Sequence, residues 1–99
     1  KYESIFSKQD GVQLVNEREG TRSNYWLNTI ILDKEFASER DEFLMACIDR
    51  GVNMRPVWRL MNKLSMYKSC PHMDLSVAEH YESRLINLPS SVFLMDHMK

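Results

Sequence analysis

The chain has 99 residues, enough for one compact domain, and its 43% hydrophobic and 27% charged residues are typical of a soluble globular protein. Thirteen basic and fourteen acidic residues leave a net charge of -1, so no overall positive field favours nucleic acid or an anionic membrane as a partner. The longest apolar runs, residues 30–32 and 92–95, are far shorter than the roughly 20 residues that cross a bilayer. Because the polar N-terminus also lacks the apolar block of a signal peptide, we expect a cytoplasmic protein.

The N-terminal residues 2–7 predict the end of a helix, because their apolar side chains have helical spacing. No N-cap residue precedes them, and we take this as a sign that the native chain continues upstream. Gly11 predicts a turn, and residues 12–15 predict a short strand.

Residues 25–33 carry the strongest strand signal, since they are rich in aromatic and β-branched side chains. Both faces of this segment are mostly apolar, interrupted at Asn28 and Thr29. The segment is therefore predicted to be a central strand that is covered on both sides.

A helix is predicted to begin at Ser38, an N-cap candidate with Asp41 at the third helical position. Gly51 lies where a left-handed residue would end this helix. The predicted apolar stripe consists of Leu44, Cys47 and Ile48, with Phe43 beside it.

The second half of the chain predicts three shorter elements and an extended tail. Residues 52–58 predict an edge strand, because Pro56 cannot donate to a ladder, and residues 60–68 predict a short helix. Ser76 and Glu79 fit a capping box that opens a helix as far as Arg84, and residues 85–88 then run extended. We expect a single α+β domain over residues 1–99, a small sheet of parallel and antiparallel strands flanked by helices on one face.

Few residues predict self-contained chemistry. Cys70, His72 and His80 match no zinc pattern, and the alternative is a loop cysteine with solvated histidines. Neither Cys70 nor Cys47, which we expect to be a buried reduced thiol, is marked as an activated nucleophile or as part of a disulfide framework. The three glycines are too dispersed to form a phosphate loop.

Two segments are better candidates for binding, SNYWLN at residues 23–28 and RPVW at residues 55–58. Arg55, held before a proline at a strand end, could bind a carboxylate or phosphate, or could form a surface ion pair. Trp26 and Trp58 could stack on a sugar or base, although tryptophans in strands more often belong to the core.

Three segments, SNYWLNTIILD, RDEFLMACIDRGVNMRPVWRLMNKLSMYKSCP and RLINLPSS, follow in this order over residues 12–91. In this order and spacing they resemble the C-terminal region of the DegT/DnrJ/StrS sugar aminotransferases. The segment MRPVWRLMNKL is most similar to the branch of the family that acts on UDP- or GDP-linked 4-keto sugars in the legionaminic acid, bacillosamine or perosamine pathways.

The resemblance implies the small C-terminal domain of a fold-type-I enzyme dependent on pyridoxal 5'-phosphate (PLP) and normally homodimeric. Such enzymes move an amino group from glutamate to C4 of a nucleotide-linked 4-keto-6-deoxysugar, and their PLP-binding lysine lies in a large N-terminal domain. Lys34, Lys63 and Lys68 lie outside any segment that resembles the motif of that lysine. The 99 residues are therefore expected to be inactive alone, with PLP bound mainly by the missing large domain.

The resemblance also implies which residues approach substrate, because the small domain closes one side of the cleft in this family. Asn24, Tyr25 and Trp26 would line the cleft, Arg55 would bind the donor carboxylate or the sugar nucleotide, and Trp58 would contribute only if Pro56 bends the strand. The alternative is a free-standing α+β module that binds a metabolite or protein without catalysis.

Overall fold

The computed structural model describes residues 1–91, which form one antiparallel sheet of four strands with helices packed against it. The strand order is β1-β2-β4-β3, and every pairing is antiparallel. This arrangement confirms the predicted α+β class, a small sheet flanked by helices. The elements in chain order are α1 (Tyr2–Phe6), β1 (Val12–Leu14), β2 (Asn28–Leu32), α2 (Arg40–Asp49), β3 (Arg55–Pro56), α3 (Ser76–Glu82) and β4 (Leu85–Leu88).

The predicted mixture of parallel and antiparallel strands is wrong for residues 1–91. Strand β4 follows α3 after only two residues and runs opposite to both of its neighbours, β2 and β3. The apolar run at residues 92–95 lies outside the described residues. None of the helices between residues 1 and 91 has the length and apolar character that crossing a membrane requires.

The core lies where β2 and β4 pair, against the inner side of α2. Ile30 and Ile86 are opposite each other in the ladder and are almost completely buried, at 1% and 0% exposure. Leu88 and Leu44 of α2 complete the buried apolar set among residues 1–91. Burial of each such side chain contributes roughly 1.5–3 kcal/mol. The position of β2 between two strands confirms that it is central. Of its five residues only Ile30 is fully buried, so the predicted cover on both sides is incomplete within residues 1–91.

The observed β2 is shorter than predicted, because it begins at Asn28 instead of residue 25. Tyr25 has a φ of 48°, in the left-handed region, and this interrupts the extended backbone before the ladder begins. The predicted strand at residues 52–58 likewise shrinks to Arg55–Pro56, at the sheet edge where Pro56 was expected.

The predicted N-cap at Ser38 is wrong. A 3-10 helix, Lys34–Glu39, precedes α2 without a break, and the Arg40 N–H donates to the carbonyl of Ala37 instead of requiring a side-chain cap. The predicted stop is confirmed, since Gly51 has a φ of 80°. The Gly51 and Val52 N–H groups bond the Ile48 and Cys47 carbonyls, both at 2.9 Å, in a Schellman motif.

The outer side of α2 and the segment after β3 differ from the prediction. In the predicted apolar stripe only Leu44 is buried; Cys47 is half-buried, and Phe43 and Ile48 are exposed. The predicted helix at residues 60–68 is instead two 3-10 turns, Met61–Lys63 and Ser65–Tyr67. They are separated because Leu64 is extended, with φ -74° and ψ 137°.

The predicted capping box at the start of α3 is also wrong. Ser76 is the first helical residue, and its hydroxyl donates to the Asp74 carboxylate at 2.7 Å, so it does not cap the helix. The helix ends at Glu82, before the predicted Arg84. The extended residues 85–88 are confirmed as β4.

Candidate functional site

The connection between β1 and β2, residues 15–27, is a loop ordered by its own polar groups; we call it the SNYW loop. The Glu17 N–H donates to the Tyr25 hydroxyl at 3.0 Å, and the Ser23 N–H donates to the Glu17 carboxylate at 2.6 Å. The Tyr25 N–H bonds Ser23 Oγ at 3.0 Å, and the Trp26 N–H bonds Asn24 Oδ1 at 3.1 Å. These short-range bonds hold the backbone in a turn in place of an extended strand.

The SNYW loop presents one large aromatic surface to solvent. Trp26 is 72% exposed, so the alternative that it belongs to the core is wrong. Tyr25 is half-buried, and its hydroxyl is used within the loop. Asn24 is exposed, but its side-chain oxygen accepts the Trp26 N–H. Tyr25 and Asn24 therefore shape the loop, and Trp26 is the side chain that the loop offers to a ligand.

Arg55 belongs to a row of polar residues that crosses three strands. It pairs with Asn87 of β4, which in turn pairs with Thr29 of β2. Residues directly opposite in a ladder point to the same face, so these three side chains share one face of the sheet. The Thr29 hydroxyl donates to Asn87 Oδ1 at 2.9 Å. Arg55 is exposed and makes no ion pair within residues 1–91. The alternative that it forms a surface ion pair is therefore wrong for the described residues.

The register places Arg55 and the SNYW loop at the same end of the sheet. The loop enters β2 at Asn28, which pairs with Leu88 at the C-terminal end of β4, and Arg55 pairs with the preceding residue, Asn87. From Arg55 the chain runs the other way, because Pro56 pairs with Ile86. The loop and the arginine therefore lie at the same end of the sheet, on strands separated by β4.

Trp58 is not brought to that end of the sheet. It follows β3 by two residues, on the side toward the beginning of β4, and is 76% exposed. Its exposure shows that the core alternative is wrong for Trp58 as well. Its assignment as a binding residue stays a prediction.

The cysteines and histidines do not gather into a site. Cys70 and His72 line a cavity of about 320 Å³, but His72 Nδ1 lies 2.7 Å from the Met73 carbonyl oxygen. Between residues 1 and 91 no group of three or more histidine, cysteine or acidic residues could hold a metal ion. Both cysteines are free thiols.

Sequence reasoning missed the residues that support the site. Glu17 and Ser23 determine the loop conformation, and short polar residues before a strand are the signal that could have indicated such a turn. Asn87 joins β2 to the row that contains Arg55, and only the strand register reveals it.

Comparison with solved structures identifies the class of fold. The chain superposes on the aminotransferase TlmJ from Streptoalloteichus hindustanus with a TM-score of 0.77 and 24% identity, over 97% of this chain and 26% of that one. PseC of Helicobacter pylori, an aminotransferase of pseudoaminic acid biosynthesis, gives a TM-score of 0.79 at 19% identity over 89% of this chain and 24% of its own. The fold is thus one found in aminotransferases.

Sequence comparison identifies the family. GDP-perosamine synthase of Vibrio cholerae is 34% identical over 86 residues, which are 86% of this chain and 23% of that protein. The DegT/DnrJ/EryC1/StrS aminotransferase family matches residues 1–98, and the chain belongs to this family. It spans about a quarter of the length of the relatives it matches.

Proposed function

We propose that these 99 residues are the C-terminal small domain of a PLP-dependent nucleotide-sugar aminotransferase. The complete enzyme would move an amino group from glutamate to C4 of a nucleotide-linked 4-keto-6-deoxysugar for surface-polysaccharide synthesis. It would be a cytoplasmic homodimer. The observation that carries the proposal is the family match over residues 1–98, together with a chain that covers only 23% of its perosamine-synthase relative.

The described residues do not fit a PLP site of their own. A lysine that bonds PLP has to project into an enclosed site, and the cavities beside Cys70, Phe36 and Arg84 are lined by no lysine. Lys63 is held in an ion pair with Glu82 at 3.1 Å, and Lys34 and Lys68 are exposed. In our proposal PLP therefore belongs to the part of the enzyme that precedes this domain.

This domain would contribute substrate binding at the sheet end that carries the SNYW loop and Arg55. The exposed Trp26 ring offers a flat surface on which a sugar or base can stack. The Arg55 guanidinium has no competing ion pair within residues 1–91 and can donate two parallel hydrogen bonds to a carboxylate or phosphate. Asn24 and Tyr25 would hold the loop in shape, and Trp58 would contact only a ligand that extends toward the opposite end of the sheet.

The test begins with the complete reading frame that contains these 99 codons. We expect it to encode a PLP-binding lysine upstream, and we expect the purified product, given glutamate and GDP- or UDP-linked 4-keto-6-deoxysugars, to form an aminated sugar detectable by mass. The 99 residues alone should give none. A start codon directly before Lys1, or a complete product that binds PLP but aminates no nucleotide sugar, would contradict the proposal and favour a free-standing binding module.

A further inference from the structure

Arg84, between α3 and β4, is buried without a counter-charge. Its exposure is 9%, and within residues 1–91 its side chain makes no hydrogen bond and no ion pair. Nε is fully enclosed and unpartnered. The guanidinium lies over the Tyr81 ring in a cation–π contact, with Cζ 5.9 Å from the ring centroid. The unsatisfied Nε–H donor costs free energy, and the two Nη groups, which are not fully enclosed, are available to a ligand.

A cavity of about 400 Å³ adjoins Arg84. It lies near the end of the sheet that is farther from Arg55. Its walls include Arg84, Tyr81, Gln13 and Asp33 together with apolar residues of β1 and β2. The Leu32 N–H donates to the Arg84 carbonyl at 3.1 Å, which places the arginine beside the last residue of β2. The cavity therefore lies toward the other end of the sheet from Arg55, although Val15, the first residue of the SNYW loop, also lines it.

The charged side chains on the cavity wall within residues 1–91 are Arg84 and Asp33. Partial burial, and then the charges of Arg84 and Lys34, lower the pKa of His80 below its ordinary value. Asp33 is the one carboxylate on the cavity wall within residues 1–91, and it forms no ion pair with Arg84. A nearby carboxylate would repel a dianionic phosphate more than a monoanion, so the balance of charge favours a single carboxylate.

We propose that Arg84 and this cavity bind a carboxylate group. The guanidinium would take both oxygens in a charge-assisted pair, and the Gln13 amide and the Tyr81 hydroxyl, which have no hydrogen-bond partner within residues 1–91, supply further donors. The carboxylate can come from a free metabolite or from an acidic side chain of another protein segment, since about 400 Å³ accommodates either. This site is independent of the proposed amino transfer.

The test is a titration of the 15N-labelled chain with sodium acetate, observed at the arginine Nε–H signals, with sodium chloride at equal ionic strength as reference. We expect the Arg84 signal to shift and to saturate, with a dissociation constant of about 1–10 mM, because acetate has only four heavy atoms with which to bind. The Arg50 and Arg59 signals, from exposed side chains, serve as internal controls and should not shift. Methylphosphonate as its dianion should bind at least tenfold more weakly.

Two variants and a longer protein complete the experiment. R84Q should abolish the saturable response and Y81F should weaken it; the wild-type titration stands even if R84Q fails to fold. In the protein encoded by the complete reading frame, an Arg84 signal that still responds to acetate indicates a free metabolite. A signal already at the bound position and insensitive to acetate indicates an acidic side chain. Two results would overturn the proposal. In the first, the Arg84 signal stays at the unbound position and does not respond to acetate in either protein. In the second, sodium chloride shifts the Arg84 signal as much as sodium acetate does.

Discussion

The hydroxyl of Tyr25 accepts a hydrogen bond of 3.0 Å from the backbone N–H of Glu17, eight residues earlier in the chain. This bond closes the SNYW loop across its two limbs, while the Glu17 carboxylate accepts the Ser23 N–H from the other side. Tyr25 keeps a φ of 48° within this arrangement, a backbone conformation that costs a non-glycine residue free energy. The loop therefore holds its shape through side-chain bonds, and Trp26 is held out in solvent as a result.

Tyr25→Phe should loosen the loop without unfolding the domain. The lost bond is exposed, so water can replace it and the free energy of unfolding should fall by no more than about 1 kcal/mol. Amide hydrogen exchange at Glu17 should become several-fold faster. Tyr67→Phe is the matched control, since Tyr67 is also partly exposed and its hydroxyl makes no hydrogen bond within residues 1–91. Unchanged protection at Glu17 would show that Tyr25 does not close the loop.

Gly11→Ala should destabilise the domain more than Gly51→Ala. Both glycines have φ near 80°, so alanine suffers a similar backbone strain of roughly 1–2 kcal/mol at either position. A Cβ on Gly11 would also lie 2.6 Å from the Phe36 ring, whereas nothing lies within 4 Å of a Cβ on Gly51. Chemical denaturation should give Gly11→Ala an additional cost of about 1 kcal/mol or more. Equal losses for the two variants would mean that Phe36 moves aside freely.

Lys63→Met should cost more stability than Asp41→Asn. Lys63 pairs at 3.1 Å with a Glu82 carboxylate whose side chain is only 15% exposed, whereas Arg40 pairs with an Asp41 that is 81% exposed. Removing the partner of a mostly buried carboxylate should reduce the free energy of unfolding by about 1–2 kcal/mol, and the exposed pair should contribute under about 0.5 kcal/mol. Urea unfolding of the two variants measures the difference. A larger loss of stability in Asp41→Asn than in Lys63→Met would contradict the claim that the burial of Glu82 strengthens its ion pair.

Acid should weaken the domain through His80. Its pKa is lowered in the folded state by partial burial and by the charges of Arg84 and Lys34, so the unfolded chain binds the proton more readily. The contribution of His80 to stability is therefore fully present above the unfolded pKa of about 6.5 and is lost as pH falls below it toward the folded pKa. Between pH 7.5 and pH 5 the melting temperature should fall less for His80→Gln than for the wild type. His72→Gln is the control and should lose as much melting temperature as the wild type. An equal loss in His80→Gln would contradict this account.

The sequence predicts best those features that depend on one residue or on one repeating pattern. Two apolar faces mark β2 as a central strand, Pro56 marks an edge, and Gly51 marks the end of α2; all three are confirmed. The proline and the glycine act through backbone constraints that hold wherever the residue lies, and the strand follows from its apolar pattern.

Features that depend on competing local bonds or on tertiary contacts were predicted poorly. Trp26 and Tyr25 favour a strand by propensity, but hydrogen bonds to Asn24 and Ser23 turn the backbone first. Ser38 has the chemistry of an N-cap, yet it lies inside a 3-10 helix that continues into α2. The burial of Arg84 has no local signal at all, because it results from the meeting of α3 with the sheet.

The central claim is that Arg55 and the SNYW loop, at the same end of the sheet, bind substrate together, and substrate kinetics test it most directly. In the aminotransferase encoded by the complete reading frame, Arg55→Ala should raise KM for glutamate or for the nucleotide sugar about 10- to 100-fold, the equivalent of one lost charge-assisted bond. Arg59→Ala, also an exposed arginine but outside the strand, is the control and should leave KM within about twofold of the wild type. Wild-type KM values for both substrates in a folded Arg55→Ala enzyme would contradict the claim.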